Sequence, residues 1–279
     1  MELVRVYMRK IKNITNYIKL YLGIFVAVAT LLAILAQIII NGVQHLSLQF
    51  LFGLDVAPGQ SIVPMVVNTL IIVGLTLLIS VPIGIGSAIY LNEYANNNSR
   101  LVKVIRIAIE TLSGIPSIIY GLFGFLFYVI ILGWTWSLLA GIFTVAIMVL
   151  PIIIRSSEEA LKSVPISYRE GSFALGAGKF QTIHKVILPS AITGILASII
   201  LSIGRMVGET AALLLTAGTL ATMPINLFSS GATLAVFMYT ITVEGTDMDR
   251  AYATAVVLMS LVLGLNTLAN AIARKLSKN

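Results

Sequence analysis

Six stretches of this chain are apolar for as long as a helix needs to cross a lipid bilayer. They are 20–40, 64–92, 107–131, 136–154, 187–216 and 252–273. A crossing helix takes about 20 consecutive, mostly apolar residues, so each stretch can span. Composition agrees: of 279 residues 58% are hydrophobic and only 10% charged, where a soluble domain carries about a quarter charged residues. Mean hydropathy is +1.00. The expected fold is an all-α integral membrane protein with six transmembrane helices. The first stretch, "LYLGIFVAVATLLAILAQIII", follows basic residues as a signal peptide would. It is too long for a signal core and no small-x-small cleavage site follows, so 20–40 is expected to remain as a span.

The positions of the charges test the count. Arg5, Arg9, Lys10, Lys12 and Lys19 precede the first span; Arg100, Lys103 and Arg106 fall between the second and third. Arg155, Lys162, Arg169, Lys179 and Lys185 lie between the fourth and fifth, and Arg274, Lys275 and Lys278 follow the sixth. That puts 16 of the 18 Lys and Arg on one side, with Arg250 opposite them and Arg205 inside a span. The other side carries Asp55, Glu244, Asp247 and Asp249. By the positive-inside rule both termini are cytoplasmic, and an odd number of spans would destroy the asymmetry. The organisation expected is a basic cytoplasmic segment 1–19, a first transmembrane helix 20–40, and a transmembrane domain 64–273 with a cytoplasmic loop at 156–185. The net charge of +7 therefore reports topology, and nucleic acid is not an expected partner. With no cysteine there is no disulfide, thiolate metal site or cysteine nucleophile. The polar residues within the spans supply neither a nucleophile–base pair nor a metal cluster, so no enzyme is expected.

The cytoplasmic loop is long for a connection between neighbouring helices. In "EEALKSVPISYREGSFALGAGKFQTIHKVILPSAITG" (158–194), "EEALKS" predicts a short helix ending before Pro165. "SYREGSFAL" predicts a second, with Ser167 as N-cap and Glu170 completing a capping box. Gly176 and Gly178 allow a sharp turn, and "FQTIHKVIL" runs on into span five. Tyr168, Phe173, Leu175 and Phe180 give this helix-turn-helix an apolar surface that needs a covering partner. "GAGKF" mimics the end of a phosphate-binding loop, but that motif needs an earlier glycine and a following Ser or Thr where Phe173 and Phe180 stand. The chain is expected to have no ATP site of its own.

This loop resembles that of permeases of ATP-binding-cassette importers, which carry Glu-Ala-Ala, three residues, Gly, nine residues, Ile-x-Leu-Pro. Glu170, Gly171, Ser172, Gly176, Val186, Leu188 and Pro189 fall in that register, with departures at Gly171, Ser172 and Val186. The resemblance implies the type I importer permease fold, and a loop whose short helix docks in a groove of an ATPase subunit and transmits nucleotide-driven closure.

"GRMVGETAALLLTAG" sets Arg205 and Glu209 four residues apart in span five. Measured from Pro189 they lie about 24 and 30 Å along a helix, in the outer half of the membrane and on one helical face. A central arginine costs about 2.5–3.5 kcal/mol on insertion scales and faces a bundle interior or cavity. From the residues alone two readings stand level. Either the charges neutralise each other beside a Gly204/Gly208 packing face, or Arg205 contacts an anion with its planar fork while Glu209 holds or gates it. A proton relay is disfavoured because the only histidines, His45 and His184, lie in loops. Three smaller expectations concern the other spans. Glu110 pairs with Arg106; Ser113, Gly114, Pro116 and Ser117 interrupt span three; and Pro82, Gly84 and Gly86 serve packing in span two. Trp134 and Trp136 sit at the outer interface, and the stretch 219–251 is left unassigned.

"GRMVGETAALLLTAG", with "ETLSGIPSIIYGLFGF" (110–125) and "AYATAVVLMSLVLGLNTLANAIARKL" (251–276), is similar to phosphate-importer permeases of the PstA type, in the binding-protein-dependent transport permease family (CysTW-like). The resemblance implies a phosphate pathway at Arg205 and Glu209, with Thr210 as a further hydroxyl donor. It also implies a homologous PstC-type permease, two PstB-type ATP-binding subunits and an extracytoplasmic PstS-type binding protein. ATP and Mg would sit on the ATPase subunits and no cofactor on this chain, in a bacterial or archaeal plasma membrane. Permeases for sulfate, molybdate or phosphonate, and the partner permease of the same importer, are the nearest alternatives.

Overall fold

The computed structural model describes residues 2–53, 57–96 and 98–276. Asp55, Lys278 and the side chains of Arg5, Arg9, Lys10 and Lys12 lie outside the described residues. The helices are α1 (Glu2–Val43), α2 (Leu48–Phe52), α3 (Val63–Ile89, continued by a π-helical turn Tyr90–Tyr94), α4 (Arg100–Ser113) and α5 (Ser117–Gly124, continued by a π-helix Phe125–Ile131). There follow α6 (Leu138–Lys162), α7 (Ile166–Ala174), α8 (Lys179–Thr182), which runs through a π turn into α9 (Leu188–Val207), α10 (Ala211–Thr216), α11 (Leu234–Glu244) and α12 (Met248–Leu276).

Among the described residues five helices are long and apolar enough to cross a bilayer: Lys19–Val43, Val63–Tyr94, Leu138–Lys162, Lys179–Val207 and Met248–Lys275. The pair α4 and α5, bent by 101°, passes the same test only together, and taken as one broken span it makes six. The interruption of span three expected at Ser113–Ser117 is therefore a sharp bend between two helices. Pro116 has no N–H to continue the ladder, the chain turns over Gly114 to Pro116, and residues 107–113 belong to α4, which carries Arg100, Lys103 and Arg106 along the basic end.

α6 is the central post. Val145, Val149 and Ile153 are fully buried there, and α3 and α9 pack on either side of it. Lipid provides no hydrophobic drive between helices, so small residues set the approach. A Cβ on Gly84 would come within 2.6 Å of Ile153 Cγ2, whereas one on Gly86 would meet nothing. Packing thus explains Gly84, and α3 passes Pro82 as one span. α1 stands outside this bundle against α12, joined where Gly42 meets Tyr252 and Val256, with its flanks exposed as lipid-facing residues would be.

Two further expectations are corrected. "EEALKS" is no separate helix but the last turns of α6, which runs unbroken to Lys162. α7 begins at Ile166 with Pro165 at its N-cap and no side-chain cap bond. Ser167 is then the second helical residue, past the cap position, so its capping box does not form.

The unassigned stretch 219–251 folds back into the bundle. Its irregular part is held by side chains of α3: Asn68 donates to the Ala232 carbonyl at 3.1 Å and Thr69 Oγ1 accepts from Leu234 N at 3.0 Å. Non-helical backbone at membrane depth is tolerated where protein satisfies it in this way. α11 follows, with Leu234 to Phe237 buried, and at 11 residues it is too short to cross. Trp134 is absorbed into an aromatic cluster, stacked on Tyr128 at 5.2 Å, while Trp136 is exposed.

The α5–α10 contact rests on Gly121, where a Cβ would fall 2.7 Å from the Ala212 Cα. Backbone cannot yield as a side chain tip can. Gly121→Ala is expected to destabilise the subunit by about 1–3 kcal/mol through overpacking, and Gly86→Ala to be neutral or to stabilise by up to about 1 kcal/mol. Unfolding midpoints of both variants in detergent check this; equal midpoints would contradict the close approach.

Candidate substrate pathway and basic-face hairpin

α9 does not continue to residue 216. It ends at Val207, Gly208 caps it at φ −87°, ψ 0°, and the helix resumes as α10 at Ala211. Glycine lowers the helical preference here, and the next two side chains bond locally instead of leaving the ladder intact. Glu209 Oε1 accepts from Ala212 N at 3.0 Å, and Thr210 Oγ1 donates to the Gly208 carbonyl at 3.4 Å. Arg205 and Glu209 therefore do not share a face of one helix. Among the described residues neither has an ion-pair partner. Nor do Gly204 and Gly208 pack another helix of this chain: a Cβ on Gly204 would meet nothing and one on Gly208 only the Gly204 carbonyl. The reading of two charges neutralising each other beside a packing face loses its geometry within this chain.

The depth of Arg205 also changes. α9 is keyed to α6 where a Cβ on Gly194 would come within 2.6 Å of Ala160 Cβ. From Gly194 to Arg205 is about 16 Å of helix, which brings Arg205 abreast of the middle of α6 instead of the outer half. Its exposed side chain leans back toward the start of its helix, as helical side chains do. It lines a cavity of about 290 Å³ with Ser113, Arg155, Ser156, Leu201 and Ser202. Glu209 is 7% exposed and lies beyond this cavity. Tyr120, whose hydroxyl donates to the Leu112 carbonyl at 2.8 Å, lies within electrostatic reach of the Arg205 guanidinium.

Arg155 lines a second, smaller cavity of about 140 Å³ with Arg106, Glu110, Glu158, Glu159 and Lys162. Cationic side chains thus step from Arg205 through Arg155 to the basic end of α6. Sequence reasoning counted Arg155 only as a loop charge; its place directly after the apolar "PIII" was the sole local signal. The pairing of Arg106 with Glu110 is also corrected. Arg106 reaches the buried Glu158 at 2.9 Å, which Lys162 also contacts at 2.8 Å, and Glu110 turns to Arg155 at 3.4 Å. α4 packs against α6, so partners across the interface displace the neighbour on the same helix.

The hairpin on the basic face has the expected turn, with Gly176 at φ +83°, where a side chain is strained. Glu170 and Gly171 are exposed, Ser172 shares a hydrogen bond with Thr182 at 2.9 Å, Leu188 is half-buried and Pro189 exposed in the first turn of α9. No residue of α7 is buried. Tyr168, Phe173, Leu175 and Phe180 are all exposed, Leu175 at 90%, beside a groove of about 560 Å³ lined by Tyr168, Ser172, Leu175 and Lys185.

A bundle of bent and broken helices with such a hairpin has counterparts among known proteins. The family described as the inner membrane component of binding-protein-dependent transport systems matches residues 80–279. The chain belongs to this family. Among its relatives, the probable ABC transporter permease protein YqgI of Bacillus subtilis is 37% identical over 251 residues, 83% of this chain and 85% of that protein. The phosphate transport system permease protein PstA of Pasteurella multocida is 33% identical over 241 residues, 80% of this chain and 84% of its own length. Among solved structures, a chain of a bacterial alginate ABC transporter, crystallised with an alginate-bound periplasmic protein, superposes with a TM-score of 0.71 at 16% identity, covering 96% of this chain and 98% of that one. The protein is a multi-pass permease subunit with the type I ABC importer fold.

Proposed function

We propose that this chain forms half of the membrane pathway of an ATP-driven, binding-protein-dependent importer of inorganic phosphate. The observation that carries this reading is Arg205. It is an arginine without an ion-pair partner among the described residues, near the break of a membrane helix, lining a cavity with Arg155, Ser113, Ser156 and Ser202. Guanidinium forks suit a tetrahedral oxyanion, and the similarity to a PstA protein supports phosphate among oxyanions. The anion would descend past the Gly208–Thr210 break, meet Arg205 transiently and leave by Arg155 toward the basic face. Contact must be weak enough for release. Glu209, with one oxygen bonded to Ala212 N, holds the break; Thr210, bonded to Gly208, positions backbone there.

The complete importer would add a homologous PstC-type permease, two PstB-type ATPase subunits carrying ATP and Mg, and a PstS-type binding protein outside, in a bacterial or archaeal plasma membrane. This chain would supply the basic segment 1–19, the peripheral helix at 20–40 and the transport domain 64–273. Its 156–185 hairpin, with Glu170, Gly171, Ser172, Gly176, Leu188 and Pro189, would receive the ATPase.

Uptake of labelled phosphate into proteoliposomes holding the assembled importer is expected to require ATP and to withstand a hundredfold excess of sulfate or molybdate. Loss of the signal to either competitor would assign the pathway to another oxyanion.

A further inference from the structure

The π-helical end of α3, Tyr90–Tyr94, is the meeting point of three cations from three separate elements. Arg106 of α4 donates to the Leu91 carbonyl at 2.9 Å. Arg169 of α7 donates to Glu93 at 2.9 Å, with both side chains largely buried at 19% and 9% exposure. Lys179, the first residue of α8, lies over the Tyr94 ring at 4.9 Å from its centroid. Arg169 also donates to the Val164 and Leu161 carbonyls, at 2.9 and 3.0 Å, so it closes the end of α6 as well. α7 buries no residue, and among the described residues Arg169 is the only α7 side chain hydrogen-bonded to α3 or α6. Polar bonds therefore tie α7 to the membrane helices: Arg169 to α3 and α6, and Ser172 to Thr182 at the start of the fifth span.

We propose that this π turn is the junction through which movement of the 156–185 hairpin reaches the pathway, with Arg169 and Glu93 as its positioning residues. The inference rests on the importer reading above and names how that importer is coupled. A π turn carries one residue more than the α-helical repeat and such turns recur at functional sites; here it turns Glu93 and Tyr94 toward the hairpin. From the same turn Arg106 runs to Glu158 of α6 at 2.9 Å and, through α4, to Ser113 at the Arg205 cavity. Displacement of α7 would thus pull on α3 and α6 together and on the bent α4–α5 pair beyond them. The link is polar, directional and short, and removing one partner leaves the other largely buried without its counter-charge.

The assembled importer, reconstituted with its ATPase and binding protein, provides the test through two rates measured on one sample: labelled phosphate taken up and ATP hydrolysed. Glu93→Gln is expected to lower phosphate moved per ATP about tenfold while the ATPase still co-purifies and hydrolyses within twofold of the unaltered importer. Arg250→Gln, which breaks the Asp247 ion pair at 3.0 Å on the opposite face, is expected to leave the ratio unchanged. The chain has no cysteine, so a Glu93→Cys, Arg169→Cys pair can be bridged by a short bis-maleimide. Bridging is expected to restore the ratio to within twofold of the unaltered importer, a rescue that a purely structural role would not give. An unchanged ratio in Glu93→Gln, or no rescue on bridging, overturns the junction. Failure of the unaltered chain to bind any ATPase would instead overturn the importer reading.

Discussion

Phe173→Asp together with Leu175→Asp is expected to strip the ATPase subunit from the permease. Both side chains project from the hairpin, 48% and 90% exposed, and neither belongs to the buried core, so the chain itself should fold as before; exposed substitutions of this kind change stability by no more than about 0.5 kcal/mol. At an interface the balance differs. Apolar anchors at the centre of a docking surface contribute about 2 kcal/mol or more each, and a carboxylate in their place adds desolvation. Two losses of that size weaken association about a thousandfold. Pull-down of the ATPase on the tagged permease reads this directly, with ATP-dependent uptake falling in parallel. A full complement of bound ATPase would show that the hairpin docks elsewhere.

The hairpin and the spans were legible in the sequence because their determinants are local. Hydropathy over 20 or more residues marks a crossing helix, the Lys and Arg positions order the loops, and Pro116 announces the bend in the third crossing. Gly176 marked its turn for the same reason. What could not be read off depends on packing between distant segments. Arg106 lies four residues from Glu110 yet pairs with Glu158, and Arg169 finds Glu93 across 76 positions; no periodicity contains either. The boundaries at 154 and 158 vanished because charged residues can extend an apolar helix beyond the membrane, as α6 does through Arg155, Glu158, Glu159 and Lys162. The break at Gly208–Thr210 was missed for a subtler reason. No proline stands there, and the i, i+4 spacing of Arg205 and Glu209 suggested continuity where a carboxylate was capping the next helix. The depth of Arg205 was misjudged because Pro189 was taken as the membrane edge, whereas the register of α9 on α6 is set where Gly194 meets Ala160.

These corrections leave the anion contact as the stronger reading of Arg205. A guanidinium held for mutual neutralisation would have Glu209 beside it; instead Arg205 opens onto Arg155, Ser113, Ser156 and Ser202. If it meets the transported anion, removing its charge forfeits a charge-assisted contact of about 1.5–3 kcal/mol, which corresponds to roughly 10- to 150-fold in rate. Lysine would keep the charge without the planar fork and fall between. Substitution at an exposed position facing a cavity leaves the helix contacts of α9 in place, so the assembled importer and its ATPase activity should persist.

The most direct measurement is therefore the initial rate of labelled phosphate uptake by the reconstituted importer carrying Arg205→Gln, beside Arg205→Lys and the unaltered chain, at matched subunit content. The account predicts a loss of about 100-fold for glutamine and a partial loss for lysine, with ATPase binding unchanged. Uptake by the glutamine variant at the unaltered rate would contradict it, and would return Arg205 to a structural role.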